Sequence, residues 1–270
     1  MFAGYKISLV TFVGRRRSLN LLARYVQPYR DLIDEWILGW NVRDPHDEHH
    51  IRVLHEGLHP WTRLITKRGG DWDFAEFYAH FRDPQTLYVK VDDDIVWMEE
   101  GALTRLVEFR IANVEFSLVS ANVINNPLMT HLHQRFGMLE MAKRSGWNWG
   151  DDVGLRDGAW AEHIHRRLLE SVRSGDLSGW KFNRFILYPG ERFSINCICF
   201  FGTDVAMVDV AGDDEHYLTV EMPRILRRPT AFCGNSLMAH LSFGPQARYI
   251  GSTDVLNQYE ILAGVEPPKR

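Results

Sequence analysis

The sequence is poor in cysteine and has no long apolar run. Cys197, Cys199 and Cys233 are its three cysteines, an odd number without CxxC spacing. The first two alternate along an apolar segment as strand side chains do, so we expect buried free thiols. No segment reaches the roughly 18 uninterrupted apolar residues of a membrane span, and the N terminus shows no signal peptide pattern. We therefore expect a soluble protein in a reducing, cytoplasmic setting.

The sequence also lacks an excess of positive charge. Its formal net charge is −4 and its pI is about 6.3, which argues against a nucleic-acid partner. It contains no GxxxxGK[ST], GxGxxG or GxSxG pattern, which argues against a P-loop kinase, a dinucleotide-dependent dehydrogenase and the simplest hydrolases. What it does have is 270 residues with 45% hydrophobic content, enough for a sizeable core.

Apolar, β-branched runs alternate with helical patterns through the first half. Strands are predicted over 7–13, 36–40, 64–66, 87–91 and 116–123, and helices over 18–25, 47–58, 72–81 and 99–113. Such alternation predicts a mostly parallel sheet covered on both faces. The second half is less regular, with a helix predicted over 161–173 and an aromatic strand over 193–201.

Three consecutive carboxylates follow the predicted strand 87–91. Asp92, Asp93 and Asp94 are followed at once by the apolar residues 95–97. Adjacent carboxylates near a sheet repel one another and lose hydration, and a divalent cation with diphosphate oxygens relieves both costs. Ligands of open α/β sheets lie beyond the carboxyl ends of strands, where this cluster falls. The alternative is an acidic surface turn, but the apolar segments on both sides favour a metal site.

The segment 88–97, YVKVDDDIVW, resembles the DXD signature of GT-A-fold glycosyltransferases. The segment 8–15, SLVTFVGR, is similar to the first strand and nucleotide-binding turn of that fold. Segments 212–218, GDDEHYL, and 238–243, MAHLSF, resemble parts of a group of fungal, bacterial and large-virus glycosyltransferases that includes a chlorovirus rhamnosyltransferase domain. The resemblance implies a GT-A-like α/β/α sandwich with a mostly parallel central sheet.

No internal repeat, low-complexity segment or Pro/Ser-rich linker divides the sequence, so we expect one domain over 1–270. The resemblance implies an enzymatic function. A nucleotide-sugar-binding half would cover about 1–125 and an acceptor half about 126–264. The implied reaction moves a sugar from a nucleotide-diphosphate donor, with a UDP-sugar favoured, to a hydroxyl of a saccharide or other acceptor, with inversion and with Mn²⁺ or Mg²⁺ as cofactor. A retaining transferase and a catalytically silent nucleotide- or sugar-binding module remain open. A nucleotidyltransferase would carry a glycine-rich basic loop, which GRRR at 14–17 matches poorly.

The resemblance also assigns residues to the metal site. It makes Asp94 the direct metal ligand, with Asp92 reaching the metal, its water shell or the ribose, and Asp93 assisting. His240 is the implied late ligand, although a lone histidine in an apolar segment is also typical of a core residue.

A general base is expected in the second acidic run. By analogy with inverting GT-A enzymes, Asp214 is the preferred proton acceptor and Asp213 the second choice. Either carboxylate can instead cap the helix predicted to follow.

Donor contacts are expected at the ends of the first two strands. Thr11 and Arg15 lie at the end of the first strand, where they could meet the base and the phosphates, unless the basic run 15–17 is a solvated turn. Asn41 ends the second strand, where related proteins often contact the nucleobase, and the alternative is an ordinary turn residue.

Overall fold

The fold is built on one sheet in the computed structural model, which describes residues 1–70, 73–147, 150 and 152–267. Nine strands of the described residues form it: β1 Lys6–Val13, β2 Glu35–Trp40, β3 Thr62–Ile65, β4 Thr86–Val91, β5 Ile95–Met98, β6 Val119–Ile124, β7 Arg184–Leu187, β8 Cys197–Phe201 and β9 Thr230–His240. The strand order is β3-β2-β1-β4-β8-β6-β9-β5, and β7 also pairs with β9.

The strand directions confirm a mostly parallel sheet. Strands β3, β2, β1 and β4 are mutually parallel, and β6 is parallel to β9. Strand β8 lies between β4 and β6 and is antiparallel to both, so the two groups of parallel strands run in the same direction. Only β8, β5 and β7 run the other way, which leaves six of the nine described strands in a common direction. The sheet also contains strands from both predicted halves of the chain, β1–β6 from the first and β7–β9 from the second.

Helices cover both faces of the sheet. They are α1 Arg16–Val26, α2 Pro45–Leu58, α3 Ala102–Ala112, α4 Pro127–Arg135, α5 Asp152–Arg156, α6 Gly158–Ser174, α7 Gly202–Ala206, α8 Asp214–His216, α9 Met222–Leu226, α10 Gly244–Gly251 and α11 Val255–Leu262. Short 3₁₀ helices cover Gln27–Tyr29, Ala75–His80 and Ser178–Trp180, and a π-helical turn covers Tyr217–Glu221.

Strand periodicity divides the core between the two faces. Leu9 and Val89 pack with residues of α1 and α3 on one face, whereas their neighbours Val10 and Tyr88 pack with α4 and the Ala75–His80 helix on the other. A third cluster joins α6 and α11 to β5 and β9. This arrangement confirms the α/β/α sandwich.

Most of the predicted elements of the first half are present within a few residues of their predicted bounds. The α-helix expected over 72–81 is instead a short 3₁₀ helix over Ala75–His80, whose buried aromatic side chains Phe77 and Tyr78 pack against Phe12. Trp72, at the start of that prediction, lies outside the described residues.

The strand expected over 193–201 starts only at Cys197. The carbonyl groups of Ser194 and Ile195 accept hydrogen bonds from side chains of the site described below, rather than from a neighbouring strand. The three cysteines are buried and free, as expected. Among the helices of the described residues, none combines the length and apolar character that crossing a membrane requires.

Candidate functional site

A cavity of about 510 Å³ opens at the carboxyl ends of β1, β2 and β4. Ligands of open α/β sheets bind in this position because several strand ends and the loops that follow them converge there. Most of its lining comes from five parts of the chain: Gly14 and Arg15 after β1; Asn41, Arg43, Asp44 and Asp47 after β2; Lys90 and residues 92–94 at β4; Asp214 and Glu215 in α8; and His240, Ser242, Phe243 and Gly244 at the end of β9 and beyond it. Phe12, Phe74, Ile195 and Asn196 complete it.

Asp93 holds the turn between β1 and α1. One carboxylate oxygen accepts hydrogen bonds from the backbone N–H groups of Gly14 at 2.8 Å and Arg15 at 3.0 Å. The other accepts from the Arg15 guanidinium at 2.9 Å. The turn is tight, since a Cβ atom on Gly14 would lie 2.8 Å from the carbonyl oxygen of Asn41. Both oxygens of Asp93 are therefore used to fix the cavity wall.

Asp94 meets His240 through the pairing of β5 with β9. Ile95 lies opposite His240 in that antiparallel pair, and the N–H of Leu241 donates to the carbonyl of Asp94 at 2.9 Å. This register sets the imidazole Nε2 of His240 3.2 Å from Asp94 Oδ2, which also accepts from Arg15 at 2.6 Å. Burial raises the pKa of Asp94, but Arg15 and His240 together outweigh it and hold the pKa below its usual range.

Two buried atoms of this pair are left without partners. Asp94 Oδ1 and His240 Nδ1 have no hydrogen-bond partner among the described residues, although an unsatisfied buried polar atom is costly. Asp92, Asp94 and His240 each offer a ligand atom, and these atoms lie within 4.8 Å of one another. Two carboxylates and an imidazole suit a hard to borderline divalent cation such as Mn²⁺ or Mg²⁺. The residues present therefore fit a metal ion.

A chain of polar side chains holds Asp92 at the cavity floor. The ammonium of Lys90 donates to Asp92 Oδ1, and the Asn196 amide donates to Oδ2 at 3.1 Å. The Asn196 side-chain oxygen in turn accepts from Asn126 at 2.9 Å, and Asn126 caps α4. Such outer contacts fix the direction in which a ligating carboxylate points.

The second acidic run divides differently. Asp213 is half exposed, caps α8 by accepting from the N–H of His216 at 3.0 Å, and pairs with Arg192 at 2.8 Å. Asp214 accepts from the hydroxyl of Tyr78 at 3.0 Å. Of the described residues that line the cavity, Asp214 and Glu215 belong to this run and Asp213 does not.

The two cavity carboxylates of this run are both perturbed by burial. Burial raises the pKa of Asp214, while the charge of Lys90 and the Tyr78 hydroxyl oppose the shift. Burial raises the pKa of Glu215 to about 7, although its carboxylate lies 3.1 Å from the Arg192 guanidinium. Carboxylates with raised pKa values in a cleft are typical of proton-transfer sites.

The predicted site residues thus come together, with the exceptions of Thr11 and Asp213. Asp92, Asp93, Asp94, His240, Asp214, Arg15 and Asn41 all line the cavity. Thr11 is not among the described residues of the lining. Its side chain is buried in the core beside the sheet, where it accepts a hydrogen bond from the Trp36 indole at 3.0 Å. Asn41 Oδ1 is buried and has no hydrogen-bond partner among the described residues.

Among the cavity residues that the sequence did not predict are Lys90, Glu215 and Asn196. Lys90 was signalled by a lone charge inside an apolar strand, and Glu215 by its place beside two aspartates. Asn196 gives no sequence signal, since its position depends on the loop that precedes β8.

The sheet topology and the cavity at the strand ends agree with the expected GT-A-like fold, and solved structures share that fold. The chain is similar to glucosyl-3-phosphoglycerate synthase from Mycobacterium tuberculosis in complex with Mn²⁺, UDP-glucose and phosphoglyceric acid, with a TM-score of 0.51 at 14% identity over 98% of this chain and 82% of that one. It is also similar to a mannosyltransferase from Pyrobaculum calidifontis in complex with GDP-mannose and Mn²⁺, with a TM-score of 0.51 at 11% identity over 98% of this chain and 66% of that one.

A mycobacterial protein gives a similar result, with a TM-score of 0.51 at 16% identity over 98% of this chain and 77% of that one. No protein-family model and no curated protein sequence matches the chain. At these identities the likeness shows a shared fold, and function has to be argued from the site.

Proposed function

We propose that the chain is a metal-dependent glycosyltransferase that moves a sugar from a nucleotide-diphosphate sugar to a hydroxyl acceptor. The observation that carries the proposal is the convergence of Asp92, Asp94 and His240, with two unpartnered buried atoms, in the cavity. The fold supports it, since similar structures contain Mn²⁺ with UDP-glucose or GDP-mannose. Kinship with the chlorovirus rhamnosyltransferase group stays a prediction.

In this proposal Asp92, Asp94 and His240 hold a Mn²⁺ or Mg²⁺ ion. When bound, the ion supplies positive charge that stabilises the leaving diphosphate. Lys90 and Asn196 orient Asp92 for that task, and Asp93 keeps the β1–α1 turn in place beside it.

The donor nucleotide lies along the ends of β1 and β2. Arg15 has a side chain that is 58% exposed, so its guanidinium can turn toward phosphate oxygens while remaining near Asp93 and Asp94. Asn41 offers an amide with both an acceptor and donors, which complements the imide edge of uracil. We therefore favour a UDP-sugar as the donor.

Asp214 is the proposed base. As the acceptor oxygen attacks the anomeric carbon, its proton passes to Asp214 while the bond from that carbon to the diphosphate oxygen breaks on the opposite side. This displacement inverts the anomeric configuration. Asp213 has a capping role in the proposal, because its carboxylate is occupied by the His216 N–H and by Arg192.

We further propose that residues 1–270 act as one domain, with the donor bound by the half up to about residue 125 and the acceptor by residues 126–264. The free buried thiols fit a reducing compartment, and the cytoplasm is the proposed location.

Turnover of nucleotide sugars tests the proposal. Release of nucleoside diphosphate is measured from a panel of UDP- and GDP-sugars, with Mn²⁺ or with EDTA, against a wide set of saccharide acceptors. We expect release from one donor in Mn²⁺ only, with an inverted product anomer by NMR. A retained configuration would refute the role of Asp214 as base. Donor binding without any hydrolysis or transfer would identify a silent binding module.

A further inference from the structure

Lys90 is a charged residue near the carboxyl end of the central strand β4. It lies between Val89 and Val91, pairs in register with Val10 of β1 and Ile198 of β8, and is only 4% exposed. Burying an ammonium is costly unless it is paired and hydrogen-bonded. A methionine would fill the same space without that cost, so the charge calls for a functional explanation.

Two acceptors satisfy part of the hydrogen-bonding capacity of the Lys90 ammonium. It donates to the carboxylate of Asp92 and to the carbonyl oxygen of Ile195 at 2.9 Å. An ammonium has three N–H groups, so one has no acceptor among the described residues. The centre of the Phe12 ring is 5.8 Å away, at the outer limit of a cation–π contact, and does not replace an acceptor. Lys90 lines the cavity, where the third N–H can meet a ligand.

The chemistry of transfer says what lies above this ammonium. The anomeric carbon has to sit between the leaving phosphate oxygen, on the Asp92 and Asp94 side, and the attacking oxygen, on the Asp214 side. Lys90 is paired with Asp92, and its charge also acts on Asp214 and Glu215. Because Lys90, Asp92 and Asp214 line the same cavity, the ammonium faces the space in which the proposed reaction places the donor sugar.

We infer that Lys90 donates its third hydrogen bond to a hydroxyl group of the donor sugar and so helps to select that sugar. The inference rests on the proposed function and names a determinant within its donor site. A purely structural Lys90 would orient Asp92 and would affect every nucleotide ligand alike. A sugar-binding Lys90 affects nucleotide sugars more than nucleotides.

Binding of matched ligand pairs separates the two roles. Dissociation constants are measured by calorimetry in Mn²⁺ for UDP, UDP-glucose, UDP-galactose and UDP-N-acetylglucosamine, and for GDP and GDP-mannose. The quantity of interest is the ratio of the constant for the free nucleotide to that for its sugar. In Lys90→Met we expect this ratio to fall by about tenfold or more for the preferred sugar, as for loss of one hydrogen bond from a charged donor.

Asn196→Ala is the matched control. It removes the other side-chain contact to Asp92 and leaves the ammonium in place, so it should weaken UDP and its sugars equally. If Lys90→Met also changes both equally, Lys90 only orients Asp92 and the inference is wrong. If Lys90→Met binds no nucleotide, Lys90→Arg decides, because it keeps a charge beside Asp92 but displaces the donor group. A reduced ratio in Lys90→Arg supports the inference, and an unchanged ratio overturns it. Failure of the wild-type protein to bind any nucleotide would instead refute the proposed function.

Discussion

Two runs of three acids meet at one cavity, and the backbone distributes their side chains differently. Residues 92–94 follow strand β4, and their carboxylates have different partners. Asp92 accepts from Lys90, Asp93 accepts from the β1–α1 turn, and Asp94 contacts both Arg15 and His240. Residues 213–215 begin a helix, so the first caps it and the next two face the cavity.

The comparison teaches that position in the backbone, and not residue type, assigns the task. In each run one carboxylate maintains the local fold, Asp93 at a turn and Asp213 at a helix start. The others keep atoms directed at the cavity. An acidic triplet in a sequence therefore indicates a site but does not say which of its members does the chemistry.

The largest effect should come from splitting the second run. Asp214→Asn removes the proposed base, and we expect the turnover number to fall about 100- to 10,000-fold with donor binding unchanged. The matched variant Asp213→Asn keeps a capping side chain and loses only the charge that pairs with Arg192, so the rate should change at most a few-fold. Steady-state kinetics on the preferred donor distinguish the two. Equal losses of turnover in both variants, or a larger loss in Asp213→Asn, would contradict the assignment of Asp214 as the base and Asp213 as the cap.

Single substitutions within residues 92–94 should distinguish a carboxylate that holds the local fold from one that binds the metal ion. Asp93→Asn replaces an acceptor of three hydrogen bonds by an amide that cannot accept on both sides. Burial raises the pKa of Asp93, so loss of the charge offsets part of that cost, and we expect the free energy of unfolding to fall by about 1 kcal/mol. Asp92→Asn leaves the buried Lys90 ammonium without its carboxylate partner, so it should also cost stability, but it should weaken metal binding far more than Asp93→Asn does. Denaturant unfolding and Mn²⁺ titration check both changes. The reverse pattern would mean that Asp93 is the ligand.

The buried carboxylate of Glu215 should make the stability of the fold depend on pH. Its pKa of about 7, against an ordinary 4.5, means that the folded state keeps this proton to higher pH than the unfolded state. Its contribution therefore becomes increasingly unfavourable as pH rises from 4.5 to 7, by up to about 3 kcal/mol. Glu215→Gln loses some pairing with Arg192, so we expect a net stabilisation of about 1–2 kcal/mol at pH 8 and less at pH 5, measured by unfolding in EDTA. Equal effects at both pH values would show that burial does not perturb this carboxylate.

Local patterns account for what was predictable from the sequence. Period-two and helical spacing located β1, β2 and β4 with the helices between them, and the apolar segments around residues 92–94 located the cavity. His240 needed a family resemblance, since only the pairing of β9 with β5 brings it to Asp94.

The rest depends on tertiary contacts. Thr11 was predicted from its place near a strand end, but its side chain is buried beside the sheet and faces Trp36. The division of tasks between Asp92 and Asp93 follows from where Lys90 and the Gly14 turn lie, which no spacing reveals. Asn196 belongs to a loop fixed by side chains from other parts of the chain.

Calorimetric titration of nucleoside diphosphates, with and without Mn²⁺, tests the central claim most directly when it is repeated on Asp94→Ala. Asp209→Ala, at a fully exposed carboxylate outside the cavity lining, is the control. We predict metal-dependent binding of one nucleotide that weakens on the order of 100-fold or more in Asp94→Ala and is unchanged in Asp209→Ala. Binding that is unaffected by Asp94→Ala, or no nucleotide binding by the wild-type protein, would contradict the assignment of this cavity as a donor site.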